Sequence, residues 1–459
     1  MKLIFKKDLI IYMPFLLAVS MFSKYSLVYI PFILVLIKDI YLINKKKNNV
    51  EKFLFKNLVY SVMLPDNFIV IFFTGLLFLY FVVSYLRNKK RLIINKSFMI
   101  IFILLISMFM INIVIHRVPI NNIFLYLMYN FVFAVVPIVF MAFNVEEYET
   151  IDKALNTAII MQGISILAVV IFNIHIVMDN LFGDWSIGTM GVSQGVQLFS
   201  LMIFTAVKLL SKYLKTKQYE YLIFFIIATV LSLSTVSLTN TAIFFVSIIA
   251  FFVVYKLNRK VKLMMVGVIA VLMCIFWFGS DPFVREQFTK IAFNSEFRVS
   301  RVKKLETYED TYISLPKKDL KAGLIGVGAG NYSSRAALTA SGYYTSWYNS
   351  SRFKTSINKY ARKYIRPRIF SNIGVSLLET PTSQYISIMG EYGYIGVAVF
   401  AAIAILVFIK SGDFNKLLIL YFLMTCFFDN YFEYPKIMLT MYLCCFIIKK
   451  DNEIMCENS

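Results

Sequence analysis

The residues that could take part in a reaction are unevenly placed along the chain. Glu391 sits near the start of the apolar stretch TPTSQYISIMGEYGYIGVAVF, residues 380–400, and Glu379 immediately precedes it. A carboxyl group at membrane depth is costly to bury and is by default a functional suspect, although a glutamate that merely packs within a helix bundle leaves the same trace. Upstream, Arg298 and Arg301 fall in FRVSRVKK, while Arg352, Arg362 and Arg366 fall in SRFKTSINKYARKYIRPRIF, residues 351–370. A planar guanidinium donates two parallel hydrogen bonds to phosphate oxygens, so such arginines suit a clamp on a diphosphate. Between these groups runs KAGLIGVGAGNY, residues 321–332, which places Gly323, Gly326, Gly328 and Gly330 just before Tyr332. Glycine-rich turns cradle phosphates where a strand enters a helix. This stretch has no Gly-x-Gly-x-x-Gly, no following Lys-Ser/Thr and no strand and helix alternation around it, so a dinucleotide or nucleotide loop does not fit. Two readings remain: a compact turn that lets the backbone pack close to the membrane or a substrate, or a flexible connection.

The elements that must position these residues are membrane helices. Of 459 residues, 59% are hydrophobic, 17% aromatic and 16% charged, and the mean hydropathy is +0.71. A soluble surface of this size cannot be built from that balance. Long apolar runs, such as residues 68–86, 98–115, 123–143 and 261–279, match the roughly 20 residues that cross a bilayer as a helix. The expected fold is all-α and polytopic, with about 12 to 14 transmembrane helices, the higher count including residues 53–64 as a short span. Three regions follow: a transmembrane bundle over 1–279, a large extracytoplasmic loop with short helices over 280–383, and transmembrane helices with a cytoplasmic tail over 384–459.

The formal charge of +21 is concentrated in short clusters, at Lys2/Lys6/Lys7, 45–47, 87–91, 212–217, 256–262 and Lys449/Lys450. The excess of Lys and Arg on cytoplasmic connections assigns each cluster, and hence both termini, to the cytoplasm. The first apolar run, from Leu9, follows lysines but has no small-residue cleavage site, so a retained anchor is expected. By alternation, residues 280–383 lie outside, where 17 Lys and Arg face 8 Asp and Glu. Long loops translocate whatever their charge, and the excess calls for an anionic partner such as lipid headgroups or lipid-linked phosphates. Within the loop, Phe353, Ile357, Tyr360, Ala361 and Tyr364 recur at helical spacing, with basic residues on the other face. That pattern suits an interfacial helix resting on headgroups, a phosphate clamp, or both. Tyr343, Tyr344, Trp347 and Tyr348 suit interface anchoring or sugar stacking. Five cysteines form no disulfide framework outside, two histidines make no metal-site spacing, and Asp-x-Asp is absent. The sequence calls for no metal, no cofactor and no nucleic acid.

Two motifs taken together carry a resemblance. Gly326, Gly328, Gly330 and Tyr332, followed tens of residues later by Glu391, Gly393 and Gly396, resemble the O-antigen polymerase and O-antigen ligase superfamily, with weaker echoes at GTMGVSQGVQ from Gly188 and LTNTAIF from Leu238. The resemblance implies a polytopic protein of the bacterial cytoplasmic membrane. It has one large outer loop near the C-terminus and moves glycans from polyprenyl diphosphate carriers. Ligases of that family commonly hold a His-Asn pair nine and eight residues before the glutamate; here those positions are Thr382 and Ser383. That departure favours a polymerase of surface polysaccharide, O-antigen or capsule, over a ligase.

In that reading the donor is already activated. Breaking its C1–O bond releases a diphosphate whose charge fixed cations stabilise, and a base accepts the proton of the acceptor hydroxyl. Glu391 and Glu379 are the candidate bases. Arg298, Arg301, Arg352, Arg362 and Arg366, with Gly326, Gly328, Gly330 and Tyr332, form the candidate substrate-binding set. The implied partners are polyprenyl-diphosphate-linked glycans and membrane lipids; a chain-length regulator would leave no readable trace. The alternative classes are ligase-type transfer, a flippase of lipid-linked oligosaccharides, which would show two comparable halves, and a membrane scaffold.

Overall fold

The computed structural model describes residues 3–45, 49–87, 96–172, 188–191, 194–235, 237–254, 304–340, 358–370 and 381–458, with isolated positions between 263 and 294. Among the described residues the chain is helical and holds no strand. Its first part comprises α1 (Lys6–Phe22), α2 (Tyr29–Asn44), α3 (Val50–Ser61), α4 (Asn67–Leu86), α5 (Lys96–His116), α6 (Ile120–Tyr129), α7 (Phe131–Ala142), α8 (Tyr148–Phe172), α9 (Gly195–Thr216), α10 (Tyr219–Ser234) and α11 (Leu238–Val254). Short helices follow: α12 (Lys304–Glu309), a π turn at Asp310–Ser314, α13 (Leu320–Ile325), α14 (Arg335–Ala340) and α15 (Lys359–Tyr364). The chain then closes with α16 (Gln384–Lys410), α17 (Asp413–Thr425) and α18 (Pro435–Asn458).

Six of these helices are long and apolar enough to cross a membrane, or seven if the bent pair α6 and α7 is one span, among the described residues. That is the number length and composition support, fewer than the 12 to 14 expected. The gap has identifiable parts. α3 has 12 residues and is almost wholly buried, α10 and α11 are shorter apolar helices, and residues 261–279 lie almost entirely outside the described residues. The run over 123–143 is not one straight span: α6 and α7 meet at 53°. Asn130 marks the break, its amide donating to the Tyr126 carbonyl at 3.0 Å, the local competition with backbone bonding that bends helices.

One large core, running from Tyr12 on α1 to Ile448 on α18, unites the long helices. α1 lies along α8, where Ser20 donates to the Ser165 carbonyl at 2.8 Å, and α9 lies against α10 and α18. Towards one end of the bundle two buried ion networks tie the helices. Lys56 bridges Asp8 at 3.0 Å and Asp39 at 2.5 Å. Asp152 takes Lys208 and Lys212, each at 2.7 Å, with Asp451 of α18 at 3.5 Å from Lys212. Towards the other end, the buried Lys436 at the start of α18 donates to the Leu64 carbonyl beyond α3 and to Gln194 Oε1 at 2.6 Å before α9. The short helices build a second, smaller core from Leu315, Val327, Tyr332, Leu338, Tyr364 and Ile365, seated on Ile386 of α16.

Candidate functional site

The glycine stretch and the start of α16 interlock. Asp319 caps α13, accepting from the Ala322 amide at 3.1 Å, and the helix ends at Gly326, whose φ is +76°. The chain then crosses α16: the Val327 amide donates to the Gly390 carbonyl at 2.9 Å and the Gly328 amide to the Glu391 carbonyl at 3.2 Å. A Cβ on Gly326 would collide with the Glu391 carbonyl, and one on Gly393 with the Leu324 carbonyl. Both residues have positive φ as well, and at Gly393 α16 is kinked. Each backbone therefore occupies the space a side chain on the other would need, which only glycine allows. The stretch is a compact turn, as expected, but what its backbone approaches closely is the backbone of α16 rather than the membrane or a substrate.

Two asparagines from distant helices hold the crossing. Asn112 of α5 accepts from the Ala329 amide at 2.7 Å and donates to the Glu391 carbonyl at 2.8 Å. Asn122 of α6 donates to the Gly330 carbonyl at 2.9 Å. The Glu391 side chain is buried, 1% exposed, and its Oε1 accepts from the Tyr332 and Ser334 amides, each at 3.4 Å. The carboxyl thus folds the end of the glycine stretch around itself.

A turn between α17 and α18, residues 429–436, brings the remaining charges. Glu433, also 1% exposed, accepts from the Arg335 amide. Burial, followed by the nearby Glu391 charge, pushes its carboxyl up to about 8. The Arg335 guanidinium lies 3.6 Å over the Tyr434 ring, bonds to the Tyr434 hydroxyl and stands 3.9 Å from Asp429, to which that hydroxyl donates at 2.6 Å. Its side chain is 20% exposed against 6% for Asp429, so this pair is the open edge of an otherwise buried cluster. Lys304 of α12 donates to the carbonyls of Thr382, at 2.5 Å, and Phe428. Burial lowers its ammonium to about 8, against the opposing pull of Asp429.

Of the residues expected from sequence, Gly326, Gly328, Gly330, Tyr332 and Glu391 are brought together. Arg362 and Arg366 stand exposed on short helices whose inner side, Ala361, Tyr364 and Ile365, shares the small core with Tyr332. Residues 359–370 are not one interfacial helix: α15 ends at Tyr364 and a second turn, Arg366–Phe370, follows. Proline explains the division, since Pro367 can open a new helical turn but cannot continue an old one. Arg298, Arg301, Arg352 and Glu379 lie outside the described residues, as do Tyr343, Tyr344, Trp347 and Tyr348. Ser383, at one of the two positions where ligases carry His-Asn, caps α16 and contacts the Tyr308 hydroxyl at 2.6 Å.

The weaker motif echoes reach the same turn. Asn240 of LTNTAIF accepts from the Tyr431 hydroxyl at 2.8 Å, and Gln194 of GTMGVSQGVQ meets Lys436. Sequence reasoning missed Arg335, Asp429, Glu433 and Lys304, because no local pattern marks them; the one available signal was the DNYFEYPK run, 429–436, which breaks an apolar region with charge. Among the described residues no group of three or more His, Cys, Asp or Glu side chains could hold a metal ion. No family model, curated protein or solved structure matches this chain.

Proposed function

We propose that the chain is a glycosyltransferase of the bacterial cytoplasmic membrane that polymerises polyprenyl-diphosphate-linked repeat units into surface polysaccharide. In this reading about 12 to 14 helices cross the membrane, both termini are cytoplasmic, and residues 280–383 work on the outer face. One observation carries the proposal: two of the stretches that resemble polymerase and ligase motifs, through Asn240 and Gln194, meet the turn 429–436, beside a partly exposed arginine that follows the glycine stretch and is flanked by carboxylates.

The chemistry follows from that edge. Arg335, held flat by the Tyr434 ring, offers guanidinium N–H groups to the donor's diphosphate as its C1–O bond breaks and negative charge develops. Asp429 takes the proton of the acceptor hydroxyl as the new C1–O bond forms, and the polyprenyl diphosphate departs. Glu391 acts beneath them, holding the glycine stretch and thereby the Arg335 backbone.

Purified full-length protein supplied with lipid-linked repeat units, and with no nucleotide sugar, should lengthen the glycan. Arg335→Ala should abolish lengthening at normal abundance. Repeat units that cross the bilayer but are never lengthened would instead identify a flippase and end this proposal.

A further inference from the structure

The outer surface of the small core carries a second polar feature, apart from the carboxyl cluster. Lys318, on the turn Leu315–Lys318, and Lys363, on α15, are both exposed. Their ammonium groups lie over one ring, that of Tyr364, 5.4 and 5.3 Å from its centroid. Like charges brought to one ring repel, and the carboxylates nearby are already engaged. Asp310 bonds to Arg368 at 2.6 Å, with Glu306 at 3.6 Å from the same guanidinium. Asp319 caps α13 and accepts from the Tyr360 hydroxyl at 2.9 Å.

The scaffold beneath the pair is firm. Tyr364 is buried at 6% exposure, Asn358 caps α15 by accepting from the Tyr360 amide at 2.9 Å, and Gly323 is packed so tightly on Pro316 that a Cβ would overlap the ring. Two short elements distant in sequence therefore present two cations at one point. Lys317 and Arg362, each adjacent in sequence to one of the pair, are exposed as well.

We propose that Lys318 and Lys363, floored by the Tyr364 ring, bind the phosphate group of a membrane lipid. A phosphate ester offers at least two non-bridging oxygens, one for each ammonium, and a compact point charge accepts such an anion in many orientations, where an arginine fork would dictate one. The site rests on the outer placement of the loop and is independent of the transfer reaction. Two lipids share this chemistry: an anionic phospholipid of the bilayer, and the polyprenyl diphosphate carrier.

Amine acylation of the full-length protein in phosphate-free maltoside micelles, quantified residue by residue by mass spectrometry, tests it. Inorganic pyrophosphate should lower labelling of Lys318 and Lys363 severalfold while sparing the exposed Lys321. Polyprenyl diphosphate protecting where phosphatidylglycerol does not would identify the carrier, and the converse would identify a bilayer lipid; either supports the site. Lys318→Gln should remove the protection of Lys363. Equal labelling with and without all three probes, an equal fall at Lys321, or undiminished protection of Lys363 in Lys318→Gln would overturn it. Labelling reads binding alone, so its failure is separate from failure of glycan lengthening.

Discussion

Glu391 illustrates how a residue's type can be legible while its work is not. Sequence flagged it as an acid at membrane depth; the structure shows its oxygen meeting two backbone amides, a contact no linear pattern announces. Glu391→Gln keeps an acceptor of the same shape and is expected to support polymer at normal abundance. Glu391→Leu leaves buried amides unpaired, at about 1–3 kcal/mol each, and should lower abundance in a membrane blot. A Glu391→Gln protein that folds and makes no polymer would instead make Glu391 the base. Arg335→Lys keeps charge but loses the flat fork over Tyr434, so turnover should fall about 100-fold, the scale of losing one preorganised donor. Two groups set opposite pH trends in stability. Glu433, raised from 4.5 to about 8, holds its proton longer folded than unfolded, so its contribution is complete below about 4.5 and declines as pH climbs to about 8. Lys304, lowered from 10.5 to about 8, contributes a rise above about 8 instead. Thermal unfolding across pH should show the fall at lower pH, and Glu433→Gln should flatten it alone.

Among elements, the glycine stretch and the start of α16 stood out in the sequence as a pair of motifs, because glycine is the one residue type whose absence of a side chain is itself a signal, but that the one crosses the other was not readable from them. Gly326→Ala places a methyl on the Glu391 carbonyl and forces a disfavoured φ, worth about 1–3 kcal/mol from the backbone alone before the collision is added. The variant should be scarce in membranes and melt early in detergent. The bend at Asn130 was not readable, since apolar periodicity passes through it and the deciding interaction is a side-chain amide, whereas the division at Ile365 had a signal in Pro367 that the helical spacing of the apolar residues masked. The buried ion networks escaped for another reason: Asp152 meets Lys208 from 56 residues away, and positive-inside reasoning counts lysines without pairing them. Lys208→Met leaves a buried carboxylate short of a partner and should destabilise by about 3 kcal/mol, more than Lys208→Met combined with Asp152→Asn. Chemical denaturation in micelles measures the difference.

For the whole molecule, sidedness is the property on which the functional reading stands. In a background without native cysteines, Lys363→Cys should react with an impermeant thiol reagent on cells whose outer barrier has been opened, and Lys217→Cys should not; labelling at Lys217→Cys alone would invert the arrangement. Membrane class and helicity were plain from composition, whereas the meeting of distant motifs needed three dimensions. The buried Lys436 has a further consequence, for biogenesis. Its acceptors, Leu64 and Gln194, are synthesised hundreds of residues before it, and an ammonium entering the bilayer without them is penalised. The helix that begins at Pro435 therefore acts as a keystone: only once it is in place do the Leu64 and Gln194 carbonyls meet the ammonium they bind in the folded protein. Ribosome-stalled chains ending before Pro435 should accordingly be degraded by membrane proteases faster than the released protein.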